Sequence, residues 1–102
     1  MTENEAKVTI THHVVGQGGK YVARLDGEEA AGTLEWEPGA SGDVRIATHT
    51  IVPKAIGGRG IAGLLVDRLI ADARRKGFKI VPQCSYVAAK FDENPGWADL
   101  KA

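Results

Sequence analysis

The sequence predicts an α+β domain: an antiparallel meander of four strands, then a β-α-β unit, then short C-terminal helices. Three observations predict it. Four runs of alternating apolar and polar residues stand between short turn signals in the first half. The apolar spacing switches to three- and four-residue steps from Gly60 to Lys76. A short apolar run, Phe78–Pro82, follows, and strand-helix-strand order implies a right-handed crossover with the fourth and fifth strands parallel. A chain of 102 residues has room for one domain, spanning 1–102.

The first strand is read over Lys7–His13, where Val8, Ile10 and His12 alternate with Thr9, Thr11 and His13. Gly16-Gln-Gly-Gly19 breaks it. Tyr21–Asp26 forms the second strand, and Asp26-Gly27 is a strong hairpin signal. Ala31–Glu37 is the third, with Leu34 and Trp36 on one face. After the turn Pro38–Gly42 comes the longest strand, Val44–Val52, rich in β-branched residues. In the helix Ile61, Leu64, Leu65, Leu69 and Ala73 make the apolar stripe, widened by Ala62, Val66 and Ile70. Asp72 and Lys76 read as a surface pair, acid leading base by four. Arg74-Arg75-Lys76 complements the negative helix end, and Gly77 terminates it. Ser85–Phe91 is a second short helix, after which Trp97 and Leu100 fold the tail back. Trp36, Trp97 and Phe78 read as core.

Composition narrows the function. Thirteen basic residues balance thirteen acidic ones, which argues against a general nucleic-acid or membrane-surface binder. The single cysteine, Cys84, allows no intrachain disulfide. The polar segment Met1–Lys7 lacks an apolar signal core, and no run approaches the roughly 18 apolar residues that span a bilayer. The expected compartment is the cytoplasm. No metal site is expected, since His12 and His13 point to opposite faces and no ligand spacing is present. The charges are unevenly placed: residues 44–90 carry nine basic and two acidic side chains, residues 1–43 three basic and eight acidic. A local positive field lies beside the only glycine-rich loop next to a helix.

That loop, Gly58-Arg-Gly60-Ile-Ala-Gly63, matches the dinucleotide fingerprint letter for letter. The fingerprint also needs an acid about 20 residues on, and Lys79–Gln83 supplies none. No Gly-Lys-Ser/Thr follows, so a P-loop is excluded as well. What remains is physical. Glycines at a helix N-terminus expose unpaired amides, the helix dipole adds partial positive charge, and Arg59 adds a full one. The combination suits a phosphate or pyrophosphate; the alternative is a flexible helix start with no ligand.

The run His49-Thr-Ile-Val-Pro53, then Gly58-Arg-Gly-Ile-Ala62 and Leu64-Leu65, resembles the acetyl-CoA signature of the GNAT superfamily of N-acetyltransferases. Val81-Pro-Gln-Cys-Ser-Tyr-Val87, with Asn94-Pro95 and Trp97, is similar to the second signature of its small single-domain subfamily. The resemblance covers roughly residues 31–100 and implies a minimal GNAT-like fold with splayed strands four and five. It implies a pyrophosphate seat on Gly57, Gly58, Arg59, Gly60, Ile61 and Ala62. Gly57 stands where the superfamily usually has Gln or Arg, so one side-chain contact is missing. It further implies that the backbone of Ile51 and Val52 pairs with the pantetheine arm, with a bulge there opening the gap. Larger members wall off the acceptor with helices between the first two strands. This chain has only Gly16–Gly19, which leaves the acceptor side open to a small molecule or a protein amine.

Acetyl transfer from a thioester needs a neutral amine, a stabilised oxyanion and a proton for the leaving thiolate. Three residues are candidates. Cys84, just beyond strand five, is a nucleophile that takes the acetyl group, an acid for the thiolate, or a small buried hydrophobe. His49, in strand four, is a general base or a structural histidine holding the bulge. Tyr86 is a proton donor to the thiolate or a tyrosine packed on the core. The leading expectation is an acetyl-CoA-dependent N-acetyltransferase using direct transfer. Behind it stand a CoA-binding module with little catalysis and an interaction domain whose open sheet edge pairs with a partner.

Overall fold

The computed structural model describes residues 7–102. The reading of the polar N-terminal segment falls mostly on residues 1–6, outside the described ones. Five strands form one mixed sheet in the order β1-β2-β3-β4-β5. They are β1 (Val8–Val15), β2 (Gly18–Leu25), β3 (Ala31–Pro38), β4 (Val44–Ile51) and β5 (Lys79–Pro82). The first four pair antiparallel, while β4 and β5 pair parallel. Between β4 and β5 lie a 3-10 turn, Lys54–Ile56, and helix α1, Ile61–Lys76. Helix α2 (Ser85–Glu93) and a 3-10 segment (Pro95–Leu100) close the chain. The meander, the crossover and the parallel pair are as expected.

One face of the sheet is covered and the other is open. Tyr21, Ala23, Leu34, Trp36 and Ala47 point inward against Ile61, Leu65, Leu69 and Ala73 of α1, where apolar burial supplies the main driving force. Val87 and Phe91 of α2 and Leu100 of the tail complete the same core, and Trp97 packs edge-on against Phe91. The last residues return to the sheet, with the Ala102 amide donating to the Ile80 carbonyl at 2.8 Å. Arg45 lies flat between the rings of Trp36 and Phe78, 4.1 and 4.0 Å from their centroids. None of the helices among the described residues is long and apolar enough to cross a membrane.

Two local readings are corrected. β1 runs on to Val15 and β2 begins at Gly18, so the hairpin turn is shorter than Gly16–Gly19. Gly19 belongs to the strand because the Trp36 indole lies over it: a Cβ there would stand 2.8 Å from the ring and 2.7 Å from the His13 carbonyl. Asp72 is not a surface residue paired with Lys76. It is 1% exposed and accepts hydrogen bonds from the Tyr21 hydroxyl (2.8 Å), Arg75 (2.8 Å) and Arg68 (3.3 Å).

Candidate active site

The loop before α1 is held at two points and free between them. Ile56 and Ile61 are buried, and the four residues between them are exposed. Gly58 and Gly60 have φ of +74° and +75°, a conformation that costs a side-chain-bearing residue about 1–2 kcal/mol. This left-handed geometry turns the chain from the 3-10 segment into the helix. The first helical bond runs from the Leu64 amide to the Gly60 carbonyl at 3.1 Å. Among the described residues, no backbone carbonyl accepts from the amides of Gly58 through Gly63. The Gly60 cap brings no side chain to them, and no acid stands in the first turn. An anion is what such an end attracts. Arg59 hangs beside it, 3.7 Å from Glu28 of the β2–β3 turn.

The gap beside the loop follows from strand pairing. β4 pairs with β5 only from Val44 to Ala47. The Cys84 amide donates to the Ala47 carbonyl at 2.9 Å as the last link, and β4 runs on to Ile51 without β5 beside it. The bulge expected at Ile51 and Val52 falls earlier. Glu35 faces His49 and Trp36 faces Ala47, so Thr48 is the extra residue. Its hydroxyl donates to the Glu35 carbonyl at 3.2 Å. Ile51 is 53% exposed, whereas Val52 packs partly against the core.

The candidate side chains divide between the two faces. Cys84 caps α2 and its thiol donates to the Thr50 hydroxyl across the gap at 3.5 Å. Burial pushes this thiol up. The Thr50 hydroxyl and the nearby amides of Val87, Tyr86 and Thr50 outweigh it and leave the pKa below the ordinary thiol value. No formal cap bond forms on the sulfur, so the Val87 and Tyr86 amides act through the field of the helix N-terminus. The Tyr86 hydroxyl reaches α1, 3.7 Å from where a Gly63 Cβ would stand. Cys84, Tyr86 and the helix mouth are thus brought together. His49 is not with them. Strand alternation turns it away from Thr50 onto the open face, where its Nδ1 lies 3.6 Å from Glu35.

Thr50, Glu35 and Glu28 were missed in the sequence. Thr50 lies inside the quoted run His49–Pro53, so adjacency to a candidate was its available signal. Glu35 meets His49 only through the bulged register, and Glu28 meets Arg59 only through tertiary folding.

The family model for GCN5-related N-acetyl-transferase matches residues 20–100. Among solved structures, a GNAT family acetyltransferase from Elizabethkingia anophelis with acetyl-CoA bound is similar, with a TM-score of 0.62 and 18% identity. The likeness covers 91% of this chain and 76% of that one and concerns the fold. With most of its length matched by the family model and the parallel pair, bulge and helix mouth in place, the chain belongs to the GCN5-related N-acetyltransferase family.

Proposed function

We propose that the protein transfers an acetyl group from acetyl-CoA to an amine by direct attack. The observation that carries this reading is the row of unpartnered amides, Gly58–Gly63, opening beside the strand gap that holds Cys84 and Thr50. Their chemistry fits a diphosphate: six amide donors, the positive end of a sixteen-residue helix and no acid in its first turn. Gly58–Ala62 and Arg59 hold the pyrophosphate, and the backbone at Ile51 and Val52, beyond the end of the β4–β5 pairing, receives the pantetheine arm. The bound molecule supplies a thioester, an acyl group already activated for attack.

The protein's part is to orient and to move protons. His49, on the open face and paired with Glu35, takes the proton of the incoming amine. Cys84, its thiol tuned by Thr50 and the α2 amides, gives a proton to the departing thiolate from the opposite side. Tyr86 walls the gap against Gly63. In His49→Gln kcat falls about tenfold while acetyl-CoA affinity is kept; unchanged turnover removes His49 from the mechanism.

Calorimetric titration with acetyl-CoA, followed by an amine panel read by thiol release, tests the whole. Binding with release from at least one amine is the expected result. Binding without release from any amine favours the second reading, a CoA-binding module. Absence of binding overturns both.

A further inference from the structure

The open face carries a hollow of about 330 Å³ between the β1–β2 hairpin and the bulge of β4. Its floor is made of residues without side chains, Gly18 and Gly19. Gly18 alternates with Gly19 onto the open face, and a Cβ there would stand 2.5 Å from the Trp36 carbonyl, so this part of the hollow stays without a side chain. Glu35 and Glu37 stand on one side, Lys20 on the other, and Thr48, the bulged residue, closes the end toward His49. Val15, 60% exposed, forms an apolar lip. Glu37 has no ion-pair partner among the described residues, and Glu35 reaches only His49.

We infer that this hollow binds a primary ammonium carried on a flexible alkyl chain, and, resting on the function proposed above, that it is where the acceptor amine is gathered. Charge decides the class. Two carboxylates against one ammonium leave the lining net negative, so an anionic or neutral guest gains nothing there. The apolar lip of Val15 suits methylenes, as the stem of a lysine packs while its head stays in a polar setting. The position also fits: Glu35 touches both the hollow and His49, so an ammonium held by Glu35 and Glu37 sits next to the base that must deprotonate it. Lysine side chains and polyamines share this chemistry.

Amide NMR of the full chain, titrated with butylammonium, spermidine and a short peptide bearing one lysine, tests the assignment. Shifts are expected at Gly18–Lys20, Glu35–Glu37 and Thr48, with butanol, equally long and uncharged, shifting none of them. Glu37→Gln raises the Kd about threefold and Lys20→Gln lowers it by a similar factor, the size of an exposed charge contact. The stronger of spermidine and peptide names the source. Shifts elsewhere, or a Kd indifferent to both substitutions, overturn the inference even if acetyl-CoA binds and amines release thiol. Shifts in the hollow with no thiol release from any amine uphold the ammonium site and overturn the transfer reading, and with it the role of the hollow as the acceptor site.

Discussion

The two ends of α1 are treated in opposite ways. At its C-terminus the protein supplies its own cap. The Ala73 carbonyl accepts from the amides of Gly77 (2.8 Å) and Phe78 (3.2 Å), and three basic residues face the negative end of the dipole. One turn back, Asp72 is buried and holds Tyr21, Arg68 and Arg75. At the N-terminus nothing is met: the amides are bare, the cap is a glycine, and the first turn lacks the acid that would stabilise it. An acid there would add stability and repel a phosphate. One end of the helix fastens the fold, and the other is left for a ligand.

The largest effect is expected where the fastening is broken. Asp72→Ala removes the acceptor of the buried Tyr21 hydroxyl, of the partly exposed Arg68 and of the exposed Arg75, and costs about 3–5 kcal/mol, read by urea denaturation. The same carboxyl sets an acid limit. Burial alone would raise its pKa, but hydrogen bonds from Tyr21 and Arg68 and the charges of Arg68 and Arg75 hold it below its ordinary 3.8. A lowered pKa means that the stabilisation is complete above 3.8 and is lost as pH falls through the lower folded value. In a thermal series Tm drops in that acid window, and Asp72→Asn makes the drop shallower.

At the other end the effect falls on the ligand. Gly60→Glu weakens acetyl-CoA binding by about a hundredfold or more, ~2.7 kcal/mol, because a carboxylate faces the diphosphate. Gly60→Ala carries the same left-handed strain without the charge and keeps most of the affinity. Equal losses in the two variants would mean that loop shape, not the electrostatic mouth, governs binding. Cys84→Ala comes next, with kcat lowered about tenfold and affinity kept, a change of ~1.4 kcal/mol in the barrier. Unchanged turnover would make Cys84 a packing residue. The smallest effect is at Glu28. Its partner Arg59 is half exposed, so Glu28→Gln frees it toward the phosphate and tightens acetyl-CoA about twofold.

The same contrast explains what could be read in the residues. α1 was legible because its stripe keeps a 3.6 period and Gly60 and Gly77 bracket it. The glycine loop was legible because its chemistry is carried by backbone. Asp72 was not, since a carboxylate off the main stripe reads as solvated, and its partner Tyr21 lies 51 positions away. The bulge at Thr48 was misplaced because a run of β-branched residues pairs equally well in either register, and the extra residue shows only in the pairing of β4 with β3. With the bulge unknown, the face of His49 and its contact with Glu35 were out of reach. Local pattern revealed the elements; long-range pairing decided which polar groups meet.

Amide NMR during titration with coenzyme A tests the central claim most directly, because it watches the donors themselves. The account predicts the largest shifts at Gly58–Gly63, saturating together with smaller ones at Ile51, Val52 and Cys84. Binding whose shifts leave Gly58–Gly63 untouched, or no binding at all, would contradict it.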